Sequence, residues 1–318
     1  MKSKNTSPSC NKTNAVMLSA CGRVGTNFIL STIRSNFKEW FCLGEFFNHI
    51  FWNMYIKTKI VQLMAAHKSN YIYKYAGWLD AHQQFLLRNL SGLVREYHSK
   101  PMKELIEEME RFIEPSNEEL YTVSLKFLNK AVNKNTIVKI FLSQTALEET
   151  DKLNNNIDIN KVLKHCNALI VPHRKSALLT HISEVKGNLN NIWYVDTNEK
   201  NMNRIEECKK LKITWNKEAY LGKFNQIKNA QEKITEIYNN FDRPKCIINY
   251  EALHAQKNKL QYLQDIYDQN GINITIKPEE IDHVTIKQSK EQPLEDNFNN
   301  PEEFLKDFPN IQTEIPIG

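Results

Sequence analysis

The chain predicts an α/β fold, with a mostly parallel central sheet flanked by helices. Four short apolar runs carry that expectation: Ala15 to Ser19, Thr136 to Leu142, Ala168 to Pro172 and Lys245 to Tyr250 each read as a buried strand. Helical patterns stand between and after them, and strands that alternate with helices favour a parallel sheet covered on both faces. The first strand runs directly into a glycine-containing loop, ACGRVGTN, and then into FILSTIRSNF, where Phe28, Ile29, Ile33 and Phe37 share one helical face.

Taken in order, residues 1–13 read as a loose polar tail, and 14–318 as one domain with a helical insertion at about 53–120. Tyr55 to His67, His82 to Leu90 and Met102 to Ile113 are expected helices, the last set between Pro101 and Pro115. Asp151 to Asn160 is polar and reads as a loop, and Ile159 to Lys164 as a short helix. Ser176 to Lys186, Lys217 to Tyr238 and Ala252 to Tyr267 complete the helical set.

Composition bounds the function. The chain has 318 residues, of which 41% are hydrophobic and 25% charged, which excludes disorder throughout, collagen and a disulfide scaffold. Lys+Arg at 42 against Asp+Glu at 37 leaves +5, an excess that suits an anionic ligand. The aromatics do not interleave with the basic residues in a nucleic-acid module pattern, so no nucleic-acid partner is expected. The 6 cysteines form no CxxC pair and no HExxH occurs, so no metal is expected. No apolar stretch is long enough to span a membrane, and no apolar segment follows the basic start. The expectation is a soluble, cytoplasmic protein. A homodimer is compatible with it.

Two segments carry chemistry. In the first, Arg23, Gly25, Thr26 and Asn27 lie where a strand gives way to a helix. Loop and first-turn N–H groups there form a natural anion cradle, to which Arg23 adds a guanidinium. The bland alternative is an ordinary turn capped by Thr26 or Asn27. A Walker A loop is absent, because Gly22 and Gly25 are too close and no Gly-Lys follows. G-R-V-G is also no dinucleotide fingerprint. In the second segment, ALIVPHRKSALLTHIS, the residues His173, Arg174 and Lys175 stand where a strand ends, and Ser183 follows Lys175 by eight residues. A basic helix start opposes the helix dipole, which an anionic partner would correct. A solvated helix start is the alternative.

Together these segments resemble the PAPS-dependent sulfotransferase family. Arg23-Val24-Gly25-Thr26-Asn27-Phe28 matches that family's first loop, a basic residue followed by Ser-Gly-Thr, then Thr or Ser, then Trp or Leu. Arg174, Lys175 and Ser183 match its second signature. Leu43-Gly44-Glu45-Phe46-Phe47-Asn48 and Val138-Lys139-Ile140-Phe141 resemble elements of its bacterial carbohydrate (trehalose-type) branch. Ile286-Lys287-Gln288-Ser289 with Asn300-Pro301-Glu302-Glu303-Phe304 resembles the family's tail. The resemblance covers about 15–50, 136–190 and 244–308. Val24 replaces the usual serine, Asn27 the usual Thr or Ser, and Lys175 an arginine.

The resemblance implies a P-loop-like fold of the sulfotransferase and nucleotide-kinase type. It also implies 3′-phosphoadenosine 5′-phosphosulfate (PAPS) as donor and a glycan or small-molecule hydroxyl as acceptor. Arg23 would meet the sulfuryl group, and the N–H groups of Gly25 to Phe28 would hold the 5′-phosphate. Arg174, Lys175, Ser183 and Lys287 would hold the 3′-phosphate, and Glu45 would act as general base. His49 and His98 are better read as surface or structural groups. The aromatic stripe Trp40, Phe41, Phe46, Phe47, Phe51, Trp52 and Tyr55 is read mainly as core, with a minority facing an acceptor. The competing readings are a kinase-like nucleotide transferase and a non-catalytic nucleotide-binding protein on the same fold.

Overall fold

Apolar runs with no polar alternation become strands buried on both faces, and the runs at 15–19, 136–141 and 168–173 do, whereas 245–249 alternates buried with half-buried residues. In β1 (Asn14–Ser19) every residue after Asn14 is buried. A three-residue strand, β2 (Trp40–Cys42), forms one edge of the sheet, followed in the chain by β3 (Asn135–Phe141), β4 (Ala168–His173) and β5 (Lys245–Asn249). The computed structural model describes residues 13–34, 40–42, 135–142, 159–190, 207, 210–278 and 293–316. The described residues belong to one compact unit. The expected helices at 55–67, 82–90 and 102–113, the insertion around them and the tail up to residue 12 lie outside the described residues.

The sheet is five-stranded in the order β2-β3-β1-β4-β5, and every pairing is parallel. Helix α1 (Thr26–Arg34) follows β1, α2 (Ile159–Lys164) precedes β4, and α3 (Ala177–Asn190) and α4 (Lys217–Asn240) separate β4 from β5. After β5 come α5 (Tyr250–Ala255) and α6 (Lys259–Gln269), and near the C-terminus α7 (Pro301–Asp307).

One face of the sheet packs Ala15, Met17, Ile137, Ile170 and Ile248 against Phe28, Ile29 and Ile33 of α1 and Leu263 and Tyr267 of α6. Helix α4 packs against β1 and against α3. It is amphipathic, burying Tyr220, Phe224, Ile227, Ala230, Gln231 and Ile234 along one stripe. The expected helix 252–267 is instead two helices. Asn249 and Asn258 each start one, their side chains accepting from the amides of Ala252 (2.8 Å) and Gln261 (3.1 Å). Asparagine in these positions favours caps over helix interiors. Among the described residues, no helix is long and apolar enough to cross a membrane.

Chain order relative to sheet order places the site. β1 connects towards the β2 edge, whereas β4 connects towards β5, so the direction of winding reverses between β1 and β4. Ligands in open α/β sheets bind outside the carboxyl ends at such a reversal. The two strands also part there. β1 stays paired with β3 as far as Ser19–Phe141, but pairs with β4 only from Ala15–Ala168 to Met17–Ile170. Pro172 falls just past the last of these pairs. The Leu169 amide points away from β1, to the Pro244 carbonyl (3.0 Å), so by alternation the donor that Pro172 lacks would have faced β1.

Candidate functional site

The loop after β1 is built by three local devices. The Ser19 hydroxyl donates to the Cys21 carbonyl (3.1 Å), closing the first turn. Arg23 sits in the left-handed region with φ +65°, and Gly25 follows with φ +84°. The Gly25 carbonyl then accepts from Ile29 (3.1 Å) and opens α1. The amides of the first helical turn have no carbonyl a turn earlier to bond within the helix. No acidic residue occupies that turn. Gly25 is required by space as well as by φ: a Cβ there would lie 3.0 Å from Cδ2 of Tyr250.

Two arginines interlace across the gap between β1 and β4. The Arg23 guanidinium donates from Nε to the Ser183 hydroxyl (3.0 Å) and from Nη2 to the Ser183 carbonyl (3.0 Å). Arg174 in turn donates from Nη1 to the Arg23 carbonyl (3.1 Å), which helps hold Arg23 in its unusual conformation. Arg174 is only 7% exposed, its Nε has no partner, and its guanidinium stacks 4.5 Å from the Tyr250 ring centroid. Burial lowers its pKa, with Tyr250, Glu251 and Cys21 opposing. Burial raises the Tyr250 hydroxyl in its turn, while Arg174 pulls it down.

The sequence-predicted residues divide as follows. Arg23, Val24, Gly25, Thr26, Asn27 and Phe28 form the loop and first helical turn, with Val24, Thr26 and Phe28 buried. Ser183, on α3, meets Arg23. Lys175 has an exposed side chain, and its main-chain amide donates to Glu251 (3.3 Å). Of the two basic residues at the end of β4, then, Arg174 turns inward and Lys175 outward. Glu45 and Lys287 lie outside the described residues, as do His49, His98 and the aromatic stripe from Phe46 onward. Trp40 is core.

Sequence reasoning missed Lys139 and Tyr250 as site residues. Lys139 is 5% exposed on β3, and its Nζ donates to Oδ1 of Asn27 (3.0 Å) and lies 4.7 Å from the Phe141 ring centroid. The available signal was a charge inside the apolar run TIVKIFL. Tyr250 follows directly on β5, the place where sheet-end ligands collect. Cys21 lies in the loop, but burial pushes its thiol to about 12, so it is no thiolate nucleophile at neutral pH. On α3 behind the loop, Glu184 forms an ion pair with Lys223 of α4 (2.7 Å).

His173, the last residue of β4, is buried, and its Nε2 lies 3.2 Å from the Ile315 carbonyl. Burial holds its pKa below the ordinary 6.5; Lys175 adds to the depression, while Glu251 and the Ile315 carbonyl oppose it. An unfolded chain takes up that proton first. Stability from neutral His173 is therefore full above the unfolded value and fades as pH falls towards the lower folded one. His181 shifts in the same direction, by burial and Lys223 against Glu184. We expect the urea midpoint to fall between about pH 7.5 and about pH 5.5, and His173→Gln to flatten that slope. Equal slopes would remove His173 from the effect.

The chain matches no model of a known protein family and no curated protein. The functional reading therefore rests on its own residues and their placement.

Proposed function

We propose that this protein is a sulfotransferase with a P-loop-like fold, moving a sulfuryl group from PAPS to an acceptor hydroxyl on a glycan or small alcohol. One observation carries the reading. The loop of Arg23 and the turn of Arg174 stand at the carboxyl ends of neighbouring parallel strands that separate past Met17 and Ile170, and Arg23 and Ser183 meet across the opening. A donor bearing phosphate at both ends suits two cationic sites on adjacent strands better than a single phosphate does. The free, buried thiols Cys21, Cys166 and Cys246 are in keeping with a cytoplasmic setting.

In this reading the acceptor oxygen attacks sulfur in line with the S–O bond to the 5′-phosphate. That bond breaks, its electron pair leaves with adenosine 3′,5′-bisphosphate, and the hydroxyl proton passes to Glu45. Arg23 neutralises charge on the bridging and sulfuryl oxygens, and the amides of Gly25 to Phe28 receive the 5′-phosphate. Arg174, Lys175, Ser183 and Lys287 receive the 3′-phosphate. The reaction needs mainly alignment and cations, as phosphoryl transfer does. The missing Gly-Lys-Ser/Thr weighs against a kinase.

Lys139 joins Arg23 as a second cation beside the loop, through Asn27 on the first turn of α1. Lys139→Met keeps the length and apolar stem of the side chain. It is expected to leave the fold intact and to lower kcat by about 10²-fold. Unchanged kcat would exclude Lys139 from the chemistry. The test of the reading itself is transfer of labelled sulfate from PAPS into sugars, lipids, phenols and peptides. Labelled product from any of these is the expected result, and transfer to none, without binding of adenosine 3′,5′-bisphosphate, defeats it.

A further inference from the structure

The segment after α7 returns to the end of β4. The Ala177 amide donates to the Thr313 carbonyl (2.8 Å), and the Ile315 amide donates to the Lys175 carbonyl (2.8 Å). Ser176 and Glu314 form an antiparallel bridge between these bonds. The His173 ring meets the Ile315 carbonyl (3.2 Å), and the Tyr220 hydroxyl donates to the Gln312 carbonyl (2.6 Å). Ile315 is 3% exposed, so the contact is also an apolar one.

These contacts alternate. The His173 ring, the Lys175 carbonyl and the Ala177 amide bond to the C-terminal segment, while the Arg174 guanidinium, between them in the chain, donates to the Arg23 carbonyl. The bonds at His173, Lys175 and Ala177 thus fix the chain on both sides of Arg174. Arg174 is buried, its Nε has no partner, and its guanidinium is held by the Arg23 carbonyl and the Tyr250 ring. An element that orders the main chain on both sides of this residue therefore also orders the loop beyond it.

We infer that residues 311–316 are a positioning strap for the donor site, acting through His173 and Arg174 on the conformation of the Arg23 loop. The inference rests on the sulfotransferase reading for the identity of the ligand. The strap bonds to residues 173–177 and to Tyr220, and its effect falls on donor affinity. His173 is a positioning residue and touches no reacting atom.

The test uses the full chain, His173→Phe, His173→Gln and a chain ending at Asn310. The phenyl ring keeps the bulk of His173 and cannot donate, while the glutamine amide can replace the Nε2 donor. We expect His173→Phe to raise the KM for PAPS and the Kd for adenosine 3′,5′-bisphosphate by up to about tenfold with kcat retained, the worth of one lost hydrogen bond. His173→Gln should restore both. The shortened chain should show at least the same loss, together with faster hydrogen exchange at the Ala177 amide without ligand. A fall in kcat with unchanged KM, or equal affinity in His173→Phe and the parent chain, would overturn the strap. Should the parent chain bind no adenosine 3′,5′-bisphosphate, the sulfotransferase reading fails. Slow, unaltered exchange at Ala177 in the shortened chain would then count against the strap on its own.

Discussion

Arg23→Ala and Arg23→Gly are both expected to lose transfer by about 10²–10³-fold in kcat, because each removes a cation aimed at charge that develops in the transition state. Their stabilities should nevertheless differ. Both variants lose the guanidinium bonds to Ser183, at 3.0 Å to its hydroxyl and 3.0 Å to its carbonyl. Alanine keeps the cost of a Cβ at φ +65°, whereas glycine adopts that conformation without strain. Glycine also gives the unfolded chain more freedom, which offsets part of the gain. The net expectation is that Arg23→Gly is the more stable by roughly 1 kcal/mol, read from urea midpoints at constant m. Such a pair separates function from folding: the better-folded variant remains inactive. An active Arg23→Gly chain would remove Arg23 from the mechanism.

Gly25→Val should damage both properties together. A β-branched residue at φ +84° is strained whatever space surrounds it. The space is also missing, since the first added carbon would sit 3.0 Å from Cδ2 of Tyr250. That ring cannot easily give way: it is stacked 4.5 Å from the Arg174 guanidinium and 4.2 Å from the His254 ring. Strain and overpacking together point to a loss of about 2–4 kcal/mol. Tyr250→Ala in the Gly25→Val background should recover the part due to the clash, but not the part due to φ. A double variant no more stable than Gly25→Val alone would mean that the ring is not what the side chain meets.

Much of this architecture can be read along the chain because its signals are local. The runs AVMLS and ALIVP are apolar without alternation, which only a strand covered on both faces accommodates, and both form central strands within a residue or two of their expected limits. The Arg23–Phe28 segment is legible for the same reason: a strand, a glycine and a helix start are consecutive. What sequence does not disclose is which strand ends become neighbours. Ser183 reaches Arg23 across 160 residues of sequence, whereas its spacing from Lys175 points only to a phosphate that the two could share. Nor does sequence disclose that, just past β4, Arg174 is buried and Lys175 exposed. The docking of Thr313 and Ile315 on 175–177 is likewise a long-range pairing, and nothing local in IQTEIPIG announces it. The split between α5 and α6 was local, in contrast: Asn258 was an available stop signal inside an otherwise continuous helical pattern.

In the proposed complex, one ligand with phosphate at both ends lies across the β1 and β4 termini. Calorimetric titration of the full chain with adenosine 3′,5′-bisphosphate, and in parallel with ADP, tests it most directly. The bisphosphate is expected to bind at least about 30-fold more tightly, a difference of about 2 kcal/mol, because only it has a group for the Arg174 and Ser183 end. Equal affinity for the two nucleotides, or binding of neither, would contradict it.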